Sequence, residues 1–249
     1  MHYPANIPLG ESFVPIHFIC ETLAYFLGYR YYIYLRSKQE DQISDEHRIL
    51  IFIGAALGGF LGSHILGVLE NPQYLKNMGI LYFMRNTTIV GGLLGGLIGV
   101  ELIKKKIGVS LSSGDMMVYP IILAMILGRL GCHFAGLDDG TYGIPSSLPW
   151  AIDFGDGITR HPTNLYEIIF WILLWISLYN LEKQYALENG ARFKLMLASY
   201  LFFRFCIEFI KPDYVFNFGL SVIQLACIAG LLYYYKLFAN PSKLLKSYA

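Results

Sequence analysis

Charged residues are scarce in this 249-residue sequence: Asp, Glu, Lys and Arg together make up 15% of it. Soluble domains average about 25%, so the composition speaks against an ordinary soluble enzyme. Disorder is excluded from the other side, because 55% of the residues are hydrophobic. Basic residues outnumber acidic ones by only 19 to 18, so no general attraction to nucleic acid is expected. Cysteine is sparse and scattered at Cys20, Cys132, Cys206 and Cys227. No Cys-x-x-Cys pair and no His-rich cluster is visible, so neither a metal nor a disulfide framework is expected. No Gly-Lys-Ser/Thr loop marks a nucleotide site, and no cofactor is expected. Internal repeats of the kind that build transporters are missing as well.

What is abundant is apolar and aromatic material. The 17 Phe, 19 Tyr and 25 Gly suit helices packed closely within a bilayer, and the mean hydropathy is +0.47. A helix that crosses the hydrocarbon needs about 20 mostly apolar residues. Ile49–Leu69 meets this without a formal charge, and Leu220–Phe238 does so with Lys236 at its end, placed to snorkel. Phe13–Tyr34, Thr87–Ile103, Met116–Leu137, Leu165–Leu181 and Leu195–Ile210 are further spans with internal charges. The expected fold is an all-α integral membrane protein of about seven transmembrane helices. Residues 1–249 read as one membrane-embedded domain, with no linker dividing them.

Basic residues orient such a chain. With the N-terminus outside, the inner loops hold Arg36, Lys38, Arg48, Lys104, Lys105, Lys106, Lys183, Arg192, Lys194, Lys236, Lys243 and Lys246. The outer loops hold only Lys76, Arg85, Arg160 and Lys211. The N-terminus is therefore expected outside and the C-terminus in the cytoplasm. MHYPANIPLGES carries no basic n-region, so the first span reads as retained. A long outer loop, about 138–164, is rich in Gly, Pro and Asp, with a hairpin expected at Gly155-Asp156-Gly157. It forms an outer, periplasmic head region, and a second outer stretch, Glu70–Asn86, suits a short interfacial helix.

Ionisable residues within spans are costly and mark candidate sites. Tyr200, Arg204 and Glu208 recur every four residues and share one helical face. Arg129 and His133 have the same spacing near the outer end of their span, and Arg160-His161 and Tyr166-Glu167 open the next one. Two arginines in a partly dry cavity suit a phosphate, whose oxygens accept paired guanidinium hydrogen bonds. In a membrane the abundant phosphate ester is a phospholipid headgroup. A blander reading stands beside this one, in which Arg204 and Glu208 form a structural ion pair. His133 and His64 likewise read as satisfied core histidines or as site residues. Cys132 reads more readily as a buried thiol than as a nucleophile. Gly54, Gly58 and Gly62, with Gly91, Gly95 and Gly99, form small faces for helix contact. Gly91 and Gly92 have a second reading, as backbone lining a headgroup pocket.

Three segments in order carry a family resemblance: Gly128-Arg129-Leu130-Gly131, Arg160-His161-Pro162-Thr163-Asn164-Leu165-Tyr166-Glu167, and Tyr200 through Glu208. From about the third span onward the sequence resembles the prolipoprotein diacylglyceryl transferase family. The resemblance implies a multi-pass enzyme of the bacterial plasma (inner) membrane. Its partners would be phosphatidylglycerol, other membrane lipids and a lipoprotein signal peptide with a lipobox cysteine. The diacylglyceryl group would move onto that cysteine's thiol, releasing glycerol phosphate. By the family pattern, Arg129, Tyr200, Arg204 and Glu208 fall on functional positions and His161 lies in a signature segment.

On this reading His161, with Tyr200, Arg204 and Glu208, is catalytic. His161, or Glu208 in its stead, takes the thiol proton, and Arg129 and Arg204 stabilise the charge on the leaving phosphate. Arg129, Arg160, Gly91, Gly92, Cys132, His133, Tyr166 and Glu167 are expected to bind substrate. The sequence departs from the family pattern at three polar positions: Cys132 stands for an asparagine, Leu137 for a glutamate (with Asp138 and Asp139 beside it), and Val90 for a histidine before Gly91-Gly92. These departures also fit a divergent phospholipid-binding scaffold, or a paralogue with another lipid donor or acceptor.

Overall fold

The computed structural model describes residues 3–9, 12–39, 41–71, 75–211 and 215–245. Met1, His2 and Lys246, used above to read the N-terminus and the orientation, lie outside the described residues, as do positions 72–74 of the Glu70–Asn86 stretch. In chain order the elements are β1 (Asn6–Leu9), β2 (Ser12–Pro15), α1 (Ile16–Lys38), α2 (Asp45–Glu70), α3 (Leu75–Arg85), α4 (Ile89–Ile107) and α5 (Val118–Ala135). They continue with β3 (Ile152–Asp153), β4 (Thr159–Arg160), α6 (Thr163–Gln184), α7 (Ala191–Ile207), α8 (Val222–Tyr233) and α9 (Tyr235–Ala239). The protein is thus mostly helical.

Three helical stretches are long and apolar enough to cross a bilayer: Asp45–Glu70, Asp115–Asp139 and Thr163–Gln184. A fourth forms if Gly79–Arg85 and Ile89–Ile107, bent by 87°, are read together. Ile49, Leu57 and Leu61 on α2 are each half or more exposed, as are Leu173 and Ile176 on α6. Such faces are unfavourable in water by about 25 cal/mol per Å² and neutral against lipid tails. The expected span Leu220–Phe238 is interrupted where Tyr234 leaves helical geometry between α8 and α9. α1 has the length of a span, but Glu21, Arg30 and five tyrosines dilute its hydropathy.

The chain divides into two compact units. The first comprises residues 1–40, 116–186 and 209–212. Its helices α1 and α5 meet closely. Gly28 leaves room for Pro120 O and Ala124 Cβ, each 3.4 Å from where a Cβ would stand. Tyr119 Oη donates to Glu182 Oε2 at 2.9 Å, and Trp171 is fully buried. The antiparallel β1–β2 hairpin, which the helical reading of the sequence did not anticipate, leads into α1. Ala5 N donates to Phe134 O at 2.9 Å and ties the start of the chain to the end of α5.

The loop after α5 is ordered by backbone pairing. Gly143 N donates to His161 O and His161 N to Ile144 O, while Ile144 N donates to Ile210 O. The hairpin expected at Gly155-Asp156-Gly157 is present as β3–β4. Asp153 Oδ1 accepts from the backbone N–H groups of Gly155, Asp156 and Gly157, and Gly155 and Gly157 take the positive φ that the turn requires.

The second unit comprises residues 41–115, 187–208 and 213–249. Here α2 and α4 touch backbone to backbone. A Cβ at Gly62 would lie 2.8 Å from Gly95 Cα, and one at Gly54 2.8 Å from Gly99 O. Glycine at these positions is a packing requirement. Arg48 donates twice to Asp41 at 2.7 Å and once to Ser113 O at 3.0 Å, fixing the entry to α2. Asp115 Oδ1 accepts from Phe193 N at 2.9 Å at the start of α7. Ser221 and Gln224 form a reciprocal capping box on α8.

Candidate active site

The polar centre of the first unit is a buried ion pair. Arg129 arrives from α5 and Glu167 from α6, with Nε 2.9 Å from Oε2 and both side chains at least nine-tenths buried. Thr163 and Asn164, one turn earlier on α6, are buried as well. Cys132 lies three residues after Arg129, and Arg129 Nη1 donates to its Sγ at 3.7 Å. His133 Nε2 stands 3.3 Å from Tyr3 Oη, and its ring packs edge-on to Tyr3 and Phe154.

His161 follows β4 and is half-buried. Its Nδ1 is 3.1 Å from Tyr166 Oη, which accepts a 2.7 Å hydrogen bond from Trp150 Nε1. The Trp150–Tyr166–His161 chain fixes the imidazole and leaves Nε2 out of that relay. Arg160 is next in sequence but is engaged by the loop: Nη1 and Nη2 each donate to Asp156 at 2.7 Å, and Nη1 also donates to Ile158 O. The guanidinium holds the Asp156 carboxyl well below the usual carboxylate range, at about 2, and Asp156 in turn raises Arg160.

In the second unit Tyr200, Arg204 and Glu208 lie on one face of α7 and its last turn, and all three are buried. Arg204 Nη2 is 2.9 Å from Glu208 Oε2. Glu208 Oε1 accepts from Ser221 Oγ at 3.1 Å, and Gln224 Nε2 donates to Phe205 O at 3.3 Å. Gly91 and Gly92 open α4. Gly91 packs on the Gly62 carbonyl, and its N–H donates to Thr88 Oγ1 at 3.2 Å, whereas a Cβ at Gly92 would come no closer than 3.8 Å to any atom. His64 Nδ1 lies within reach of Phe83 O and Asn86 O, at 2.8 and 3.1 Å. It is a satisfied core histidine.

Each unit therefore carries one buried arginine–glutamate pair. Arg204–Glu208 follows from helical spacing. Arg129–Glu167 spans two helices 38 residues apart in sequence, and only its members were legible. Ser221 and Gln224 were missed as supports of Glu208, although Ser-x-x-Gln before an apolar run is a capping-box signal. His17 and its contact with Asp139 were missed too, because no local pattern links them.

Helices fit for a bilayer, with arginine–carboxylate pairs buried among them, define a membrane-embedded protein. The family model of prolipoprotein diacylglyceryl transferase matches residues 7–239. Three relatives bear the name phosphatidylglycerol–prolipoprotein diacylglyceryl transferase. The Clostridium tetani protein is 32% identical over 197 residues, 72% of this chain and 73% of the relative. The Finegoldia magna protein is 30% identical over 215 residues, 85% and 84% of the two chains. The Bordetella bronchiseptica protein is 31% identical over 242 residues, 86% of each. The chain belongs to the prolipoprotein diacylglyceryl transferase family, a family of membrane transferases.

Proposed function

We propose that the chain transfers the diacylglyceryl group of phosphatidylglycerol to the cysteine thiol of a prolipoprotein signal peptide. The observation that carries this reading is the family match over nearly the whole chain, joined to buried arginines held beside carboxylates. In the reaction His161 Nε2 takes the thiol proton. The sulfur attacks the glyceryl carbon that bears the phosphate, the C–O bond breaks, and glycerol phosphate leaves as the thioether forms. Negative charge grows on the leaving phosphate, and the guanidinium group of Arg129, in the same unit as His161, stabilises it. Glu167 orients that group, Tyr166, Cys132, His133 and Arg160 of the same unit bind substrate, and Tyr200, Arg204, Glu208, Gly91 and Gly92 of the second unit are functional by the family pattern. A base that accepts the thiol proton at Nε2 requires Nδ1–H to donate to Tyr166 Oη, and the 3.1 Å separation accommodates that hydrogen bond.

The reading places the protein in the bacterial inner membrane with seven spans, the N-terminus and the 138–164 loop outside and the C-terminus in the cytoplasm. Seven helices of 12 or more residues among the described residues support that count, and the distribution of lysine and arginine supports the orientation.

Incubating the purified protein with phosphatidylglycerol and a lipobox-cysteine peptide tests the proposal. The expected product is the diacylglyceryl thioether, identified by mass, and His161→Gln, which strands no buried charge, slows its formation by about 10²–10⁴-fold. Retention of phospholipid with no thioether, under conditions where the Clostridium tetani relative transfers, would defeat it in favour of a lipid-binding scaffold. Cys132, Leu137 and Val90 at family polar positions motivate that second reading.

A further inference from the structure

Beside the Arg129–Glu167 pair lies a second chemical group of residues. His17, Cys132 and Asp139 each offer one ligand atom, and the three atoms lie within 4.8 Å of one another. They come from the first turn of α1, the last turn of α5 and the 3-10 turn that follows, all in the first unit. Gly131 makes the approach feasible. A Cβ there would stand 2.9 Å from Cys20 Cβ and 3.2 Å from His17 O, so only glycine lets α1 lie directly against the backbone preceding Cys132.

Polar groups flank the three side chains from behind. His17 Nε2 faces Glu21 Oε2 at 3.9 Å, and Nδ1 faces Asp139 Oδ1 at 4.0 Å. Asp139 Oδ2 accepts a 2.5 Å hydrogen bond from Thr141 Oγ1, leaving Oδ1 toward the histidine. Cys132 Sγ accepts from Arg129 Nη1. His17 Nδ1 is itself buried and has no hydrogen-bond partner, which native interiors rarely tolerate. A ring nitrogen, a sulfur and a carboxylate oxygen thus face one another, the sulfur and the carboxylate each fixed by an outer hydrogen bond and the imidazole flanked by the Glu21 carboxylate. Metal sites are built this way, with the outer partners orienting the ligands.

We propose that His17 Nδ1, Cys132 Sγ and Asp139 Oδ1 bind one divalent ion of the zinc class, with a fourth coordination position open. Mixed nitrogen, sulfur and oxygen donors suit zinc, which has no directional preference of its own, and disfavour calcium and magnesium, which take oxygen. Zinc–ligand bonds of about 2.0–2.3 Å put tetrahedral ligand atoms roughly 3.5 Å apart, which small side-chain rotations reach from the present spacing. Binding breaks the Cys132 S–H bond as the sulfur–metal bond forms, and the proton passes to solvent. The Arg129 guanidinium stabilises the resulting thiolate. This site shares Arg129 and Cys132 with the proposed transfer site, but it does not rest on that reading, and its test reads metal binding rather than transfer.

Cobalt(II) titration of the purified, chelator-treated full chain is the test. One equivalent is expected to give a thiolate-to-cobalt charge-transfer band and tetrahedral visible bands, both displaced by zinc. Cys132→Asn, which installs the residue expected from the family resemblance, removes the charge-transfer band and weakens zinc binding at least about 100-fold. His17→Gln weakens it comparably, and the metal-free thermal midpoints of both variants stay near that of the parent. Missing bands in the parent protein, or equal zinc affinity in parent and Cys132→Asn, would overturn the site. Should Cys132→Asn fail to fold, zinc affinity in His17→Gln decides the matter by the same criterion.

Discussion

Arg129 on α5 and Glu167 on α6 face each other at 2.9 Å, both buried. Each charge is stable there because the other is present. Removing one partner strands the other in low dielectric, at a cost of about 3–5 kcal/mol, whereas replacing both with apolar groups is often neutral. Glu167→Ala and Arg129→Ala are therefore expected to lower the thermal midpoint in detergent strongly, and Arg129→Met with Glu167→Leu to recover most of the loss. Transfer activity is expected to stay absent in the double variant. Recovery of both stability and transfer would reduce the pair to a helix clamp.

The hydrogen-bond relay from Trp150 through Tyr166 to His161 makes a kinetic prediction. His161→Gln removes the base and is expected to slow transfer by about 10²–10⁴-fold. Tyr166→Phe keeps the ring but releases Nδ1, so kcat should fall about tenfold with KM for lipid and peptide unchanged. Equal loss in kcat/KM through KM alone would make Tyr166 a binding residue, as a kinetic series on the two variants would reveal.

Much of this was readable beforehand because helices obey a short period. The Tyr200–Arg204–Glu208 face and the glycine faces of α2 and α4 follow from residues three or four apart. The β3–β4 turn was legible from Gly155-Asp156-Gly157, whose chemistry is local. The β1–β2 hairpin was not, because four-residue strands interrupted by Pro8 and bounded by Pro15 carry no usable alternation. Contacts between distant segments, such as His17 with Asp139 and Arg129 with Glu167, leave no trace in spacing. Only the packing of helices creates them.

The glycines make a graded prediction. Alanine gains about 1 kcal/mol over glycine in a helix interior, while overpacking costs about 1–3 kcal/mol. At Gly92 the nearest atom to an added Cβ is 3.8 Å away, so Gly92→Ala is expected to stabilise slightly. At Gly62 the same atom would lie 2.8 Å from Gly95 Cα and closer still to the Gly91 carbonyl. Both are rigid backbone, so Gly62→Ala should destabilise. Thermal midpoints in detergent decide; equal behaviour of the two variants would contradict the close α2–α4 contact.

The exposed Asp156–Arg160 pair predicts how the outer loop responds to acid. Asp156 titrates at about 2 in the folded chain, against an ordinary value of 3.8. A group whose folded value is depressed stabilises the fold above its unfolded value and loses that contribution as pH falls through the folded one. The pair should therefore support the β3–β4 hairpin fully above about pH 4 and progressively less between about pH 4 and 2. Hydrogen exchange of residues 152–160, corrected for intrinsic rates, is expected to show flat protection at neutral pH and a decline in that window. Asp156→Asn loses the charge at every pH, so its protection should be lower at pH 7 and fall less steeply in acid. High salt should move the parent toward the variant, because the pair is open to solvent and its attraction is screened. Identical exchange in the two proteins across the range would mean that Asp153, with its three backbone hydrogen bonds, holds the turn alone.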